Sequence, residues 1–208
     1  MIFELLFIAL FFTTLIALVS VLIMVVRGSR RSAMRLLQAA GAVWVVYLFI
    51  VVAVSITTTQ RIIPTGQDLC FDEMCFAAIQ TQSMSQLGSG DSAVRADGQF
   101  YVITVRVSSH SRGRTQSEGG LRALLWDSGK YYAVSPQGQR AWEVDNGATS
   151  PLTSRLQPGE SVKSVQVFDV PKEVSSPGLV LSHGFTPGYF VIGECPLFHK
   201  PTLIRINP

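Results

Sequence analysis

Two long apolar runs open this chain, and nothing constrains it more. Residues 3–26 read FELLFIALFFTTLIALVSVLIMVV, with Glu4 the only charge, and residues 36–56 read LLQAAGAVWVVYLFIVVAVSI with no charge at all. A helix that crosses a bilayer needs about 20 predominantly apolar residues, and each run supplies them. The rest of a 208-residue chain could not bury both runs inside a small polar domain. The first run is also unlike a cleaved signal, which has a basic leading segment, a short apolar core and a small-residue cleavage site. Here the leading charge is acidic and arginines follow the apolar stretch. Residues 1–60 are therefore expected to form a transmembrane helical hairpin.

The arginines set its expected orientation. Arg27, Arg30, Arg31 and Arg35 lie in RGSRRSAMR between the two runs. Short cytoplasmic loops are enriched in Lys and Arg, so residues 27–35 are expected in the cytoplasm and both termini outside. Neither run contains His, Lys, Arg or Asp. Ionisable groups inside a membrane mark proton relays, ion paths and haem ligation, which argues against a transporter, a pump or a membrane cytochrome. Small residues let membrane helices approach closely. Ala9, Thr13 and Ala17 are spaced four apart, and Ala39, Ala40, Gly41 and Ala42 cluster in the second run. They read either as a packed seam or as the ordinary small-residue content of membrane helices.

Residues 61–208 read as a separate extracytoplasmic domain. Four of the seventeen bases and one of the fourteen acids precede Ile56, so thirteen of each sign remain beyond it. A neutral domain with no basic stripe is a poor partner for nucleic acid. Residues 100–108 (FYVITVRVS) place Tyr101, Ile103, Val105 and Val107 on one face, the alternation of a half-buried strand. Residues 121–126 and 130–134 flank Asp127-Ser128-Gly129 as a hairpin. Ser135-Pro136-Gln137-Gly138 and Gln157-Pro158-Gly159 read as turns, and Pro171 closes a strand over 161–170. Residues 74–81, 179–182, 189–192 and 203–206 complete seven or eight short strands, with 74–81 the expected first. No segment beyond the hairpin shows helical periodicity. The pattern predicts an antiparallel sandwich.

Four segments carry a resemblance: Phe71-Asp72-Glu73-Met74-Cys75, Leu125-Trp126-Asp127-Ser128-Gly129-Lys130-Tyr131-Tyr132, Leu156-Gln157-Pro158-Gly159-Glu160-Ser161 and Val167-Phe168-Asp169-Val170-Pro171. Over residues 69–206 the chain resembles a bacterial extracytoplasmic immunoglobulin-like, telokin-like domain of unknown function. That family occurs on secreted, lipid-anchored and membrane-anchored proteins. The resemblance implies an all-β immunoglobulin-like sandwich and extracytoplasmic display, with no chemistry attached.

Candidate chemistry is sparse. Cys70 and Cys75 lie in DLCFDEMC. Outside the cytoplasm they are expected to pair, closing a loop worth about 2 kcal/mol in the chain-entropy model. The other readings are reduced structural thiols, or a metal or redox site with Asp68, Asp72 and Glu73. Cys195 is an odd cysteine, either a free thiol or an intermolecular link. His110, His183 and His199 are isolated, and no G-x-S-x-G elbow occurs. Trp126, Trp142, Tyr131 and Tyr132 are either core aromatics or a binding surface.

The expectation is a multi-pass protein of a bacterial cytoplasmic membrane with its C-terminal domain on the extracytoplasmic side. It would serve as a non-enzymatic module without cofactor or metal. Its partners would be the lipid bilayer and a membrane or envelope protein. The alternative is an envelope sensor or redox-responsive accessory subunit acting through a membrane partner.

Overall fold

The structure, a computed structural model, describes residues 2–90, 93–174, 177–182 and 200–206. Two compact units divide between Gln60 and Arg61. The first holds α1 (Ile2–Val26) and α2 (Arg30–Thr57). Both are long and apolar enough to cross a membrane. Leu5, Phe12, Ile16 and Leu22 on α1 and Val45 and Phe49 on α2 are exposed.

The chain reverses within residues 27–29, where the Gly28 N–H donates to the Val25 carbonyl at 3.0 Å and the Ser29 N–H to that of Met24 at 2.8 Å. The link is therefore shorter than the expected 27–35, and Arg30, Arg31 and Arg35 belong to the first turns of α2. Arginine is a good helix former, and nothing between Ser29 and Leu36 breaks a helix. Cations in a first turn oppose the helix dipole, so helix stability does not account for their position.

Contact between the helices is led by aromatic side chains rather than by the small residues. The Trp44 indole donates to the Thr14 hydroxyl at 3.0 Å, and that hydroxyl donates to the Leu10 carbonyl at 2.7 Å. Phe7, Trp44 and Tyr47 stack within 6.5 Å of one another, Phe7 to Trp44 being the widest pair. Of the small residues, Ala17 and Ala40 are half-buried, whereas Ala9, Thr13, Ala39, Gly41 and Ala42 face outward.

The second unit is a β-sandwich. One sheet has the order β1-β9-β8-β5-β6 and the other β2-β3-β4-β7. The strands are β1 (Ile62–Ile63), β2 (Leu69–Phe71), β3 (Met74–Leu87), β4 (Val94–Ser109), β5 (Arg122–Asp127), β6 (Lys130–Ala133), β7 (Ser161–Val170), β8 (Gly178–Ser182) and β9 (Leu203–Arg205). Phe76, Ile103, Val105, Val107 and Phe168 from one sheet meet Ala123, Leu125, Leu179 and Ile204 from the other in the main core. The expected alternation over 100–108 holds, with Tyr101, Ile103, Val105 and Val107 all in that core. The hairpin at 121–134 also holds, turning through Ser128 at φ 47° and Gly129 at φ 91°. The two positive φ angles suit the twist of a two-residue hairpin.

Three expectations are corrected. The sandwich is not wholly antiparallel, because β1 pairs with β9 in parallel. Residues 74–81 are neither the first strand nor its full extent, since β1 and β2 precede β3, which runs on to Leu87. The segment beginning Ser135-Pro136 is not a turn but the start of a helix, α3 (Pro136–Asn146). Ser135 caps it, its hydroxyl accepting from the Gly138 N–H at 3.2 Å, and Pro136 sits at the first helical position, where its missing donor costs nothing. The expected strand at 189–192 lies outside the described residues.

Helix α3 covers the outer face of the second sheet. Phe100, Val102, Val165 and Val167 project there and form a smaller cluster with Ala141, against which Trp142 packs. Gly138 is the point of closest approach: a Cβ there would lie 2.8 Å from Val167 Cγ1 and 3.0 Å from Phe100 Cε1. Overpacking a rigid contact typically costs about 1–3 kcal/mol. Gly138→Val should therefore destabilise the sandwich by about 2 kcal/mol, read as a lowered urea midpoint in the full chain. A midpoint equal to that of the parent would show that α3 can shift off the sheet without loss.

Candidate interaction surface

Cys70 and Cys75 occupy directly opposed positions of β2 and β3, with Cα atoms 4.0 Å apart, and are joined by a disulfide. Between them Asp72 takes φ 50°, a left-handed conformation that Asp tolerates better than most side chains. Two of the three acids that could join the cysteines as metal ligands have other partners. Asp68 pairs with Arg106 at 3.0 Å, and the Glu73 carboxylate accepts from the Gln116 side-chain amide. Among the described residues no three His, Cys, Asp or Glu come together as a metal site. His110 follows β4, its N–H donating to the Glu73 carbonyl at 2.7 Å. His183, His199 and Cys195 lie outside the described residues.

Three of the four aromatics share the β5–β6 hairpin but not one face of it, and Trp142 lies on α3. Tyr132 packs on the main core and Trp142 on the smaller one. Trp126 and Tyr131 face each other across β5 and β6, and Tyr131 is exposed. Inside the sandwich, burial pushes the Tyr101 phenol above its ordinary value of 10.0, and the Asp127 carboxylate adds to the push.

An open cleft of about 610 Å³ lies where α3 begins, lined by Asp97, Ser135, Gln137, Arg140 and Asp169 among others. Much of its polarity is already committed to the fold. Asp169 accepts from the backbone N–H groups of Asp97 at 3.1 Å and Gly98 at 3.4 Å, which ties the start of β4 to the end of β7.

The two edges of the second sheet differ most. The outer edge of β7 is closed by side chains and by the chain leading into α3. The Ser135 N–H donates to the Val167 carbonyl at 2.7 Å. The Gln139 carboxamide accepts from the Val167 N–H and donates to the Val165 carbonyl, both at 3.1 Å, as a peptide group would. Thr149 accepts from the Val165 N–H at 2.8 Å.

The edge of β3 is closed over only part of its length. β2 covers Met74 to Phe76, and the Gly66 N–H reaches the Ala78 carbonyl at 2.8 Å. Beyond that, over residues 79–86 (IQTQSMSQ), no described strand lies alongside. Between Met74 and Gly90 the sequence has no charged residue and no proline. Charges and prolines are the usual means of blunting an edge. Sequence reasoning missed this stretch because its residue types carry no chemistry. The signal is their length and neutrality beside a three-residue neighbour.

No family model matches this sequence, and no curated protein matches it either. Among solved structures the chain is similar to a conserved hypothetical protein from Bacillus anthracis, at 17% identity over 59% of this chain and 92% of that one, with a TM-score of 0.48. It is also similar to an uncharacterized β-sandwich protein from Clostridium difficile 630, at 14% identity over 72% and 96%, TM-score 0.42. A secreted protein from Mycobacterium tuberculosis matches at 14% identity over 73% and 100%, TM-score 0.45.

Two outcomes are expected here. Replacing both cysteines, Cys70→Ser with Cys75→Ser, should cost about 2 kcal/mol and leave the fold intact, as measured by chemical denaturation and circular dichroism. The second concerns Tyr101. A folded-state pKa raised above the unfolded value stabilises below the unfolded value and is lost as pH rises through the folded one. Stability should thus fall as pH climbs above about 10, and Tyr101→Phe should flatten that fall relative to the parent. Identical alkaline slopes in parent and variant would show that Tyr101 does not couple ionisation to folding.

Proposed function

We propose that this chain is a membrane-anchored, non-enzymatic module that presents an immunoglobulin-like β-sandwich outside the cytoplasm of a bacterium for interaction with protein or ligand. The observation that carries the reading is the α1–α2 hairpin. Away from the arginine-bearing turn its outward side chains are mostly apolar, and water would oppose that exposure at roughly 25 cal/mol per Å², which a bilayer would relieve. The interhelical side-chain hydrogen bond from Trp44 to Thr14 suits a lipid setting, where polar groups find partners across helices. Arg27, Arg30, Arg31 and Arg35 gather at the turn, so the turn faces the cytoplasm and both termini lie outside. The disulfide between Cys70 and Cys75 agrees with an oxidising compartment for the sandwich.

The test is the position of two introduced cysteines in a Cys195→Ser background. Ser32→Cys should resist an impermeant maleimide in intact cells and react after permeabilisation. Asn207→Cys should react in both. Reaction of Ser32→Cys in intact cells with protection of Asn207→Cys would invert the topology. Release of the whole chain by alkaline carbonate would remove the anchor.

A further inference from the structure

We propose that the edge of β3 over residues 79–86, along which no described strand lies, is a self-pairing surface, on which a second copy of this chain adds its own β3 in antiparallel register about a two-fold axis at Gln82. An exposed strand edge is a row of unpaired donors and acceptors, and another strand satisfies it through the main chain. The occupant follows from the edge itself. Residues 79–86 carry no charge, so an acidic or basic peptide finds no complementary group, whereas a second copy meets no repulsion.

The register follows from the geometry. Irregularities in the β3–β4 ladder fall between Ala78 and Gln80 and between Met84 and Gln86, so the regular stretch is 80–84 and Gln82 is its midpoint. A two-fold axis normal to the sheet keeps the same faces of both copies on one side. Residues on one face must then oppose residues on that face. Gln80, Gln82 and Met84 share the face of Val102 and Phe100, while Thr81 and Ser83 share the face of Ile103 and Tyr101. Pairing at Gln82 meets this condition. It sets Gln82 against Gln82 of the second copy, Gln80 against Met84, and Thr81 against Ser83.

The pairing is short. Strand residues advance about 3.3 Å each, so the contact is only a few residues long and well below the ~1,200 Å² of a stable interface. Dilute, untethered domains would rarely associate through it. Confinement of both copies to one bilayer raises their effective concentration and supplies what the area lacks. To that extent the inference rests on the anchored reading above.

The experiment uses the full chain in lipid vesicles, in the Cys195→Ser background, at a low protein-to-lipid ratio. Gln82→Cys should form a disulfide-linked dimer under mild oxidation at least about tenfold faster than the exposed control Gln157→Cys. Neither Gln80→Cys nor Met84→Cys should link efficiently alone, but a mixture of the two should. Gln82→Lys places like charges directly opposite one another and should leave single subunits in photobleaching counts, with an unchanged unfolding midpoint. Gln157→Lys should leave the pairs in place. Equal linking at Gln82→Cys and Gln157→Cys would overturn the proposal. So would pairs that persist in Gln82→Lys, which would place the contact on the helices. Linking at Gln82→Cys in a chain that carbonate strips from the vesicles would keep the pairing and discard the anchor.

Discussion

Strand β4 is paired along both edges and covered on both faces, and the rest of the sandwich is arranged around that requirement. β3 and β7 flank it in the sheet. Tyr101, Ile103, Val105 and Val107 enter the core between the sheets, while Phe100 and Val102 enter the smaller cluster on the opposite side. A sheet face left to water would expose the Phe100 ring and the valines beside it, at about 1.5–3 kcal/mol for each large side chain. Something must cover that face, and α3 does so. Its position is fixed by Gly138 against Val167 and Phe100 and by the Gln139 carboxamide on β7.

The same helix solves an edge problem. β7 borders the sheet, and an open row of peptide groups there would invite another strand. Gln139 presents an acceptor and a donor with the spacing of a peptide unit, so it ends the ladder without extending it. The opposite edge receives, among the described strands, β2 alone, three residues long, which is too short to hold itself in place by backbone pairing. A covalent link from Cys70 to Cys75 compensates at that end. It secures the ladder where β3 is most deeply buried, at Met74 to Ala78, while no described strand lies along the more exposed half.

These features were unequally legible in the sequence. Strands at 100–108 and 161–170 announced themselves by alternation and by a terminating proline, and the hairpin at 121–134 by Asp127-Ser128-Gly129. Their determinants are local. Helix α3 was not legible as a helix because only Gly138 and Ala141 of its eleven residues are buried, too few for an apolar period to emerge. Its one clear signal was Ser135 followed by Pro136, which fits both a turn and a capped helix start. β1 could not be foreseen either, since two residues of strand acquire meaning only from β9, some 140 positions away. The disulfide was readable because its residues are neighbours in sequence. An open edge was not, because it is defined by what fails to lie beside it.

Several polar groups that would draw attention as chemistry are spent on the backbone or on one another. Asp169 holds the N–H groups of Asp97 and Gly98. The Glu160 carboxylate accepts from the Gln157 N–H at 2.8 Å and closes the turn before β7. Ser109 donates to Ser111, whose hydroxyl donates in turn to the Arg114 carbonyl, fixing the exit from β4. Groups that act on a substrate must converge on a common point with free valence. These instead diverge, each stabilising a different turn or strand end. These described groups hold the strand geometry in place. Among the described residues, no strand lies along the outer edge of β3 over residues 79–86.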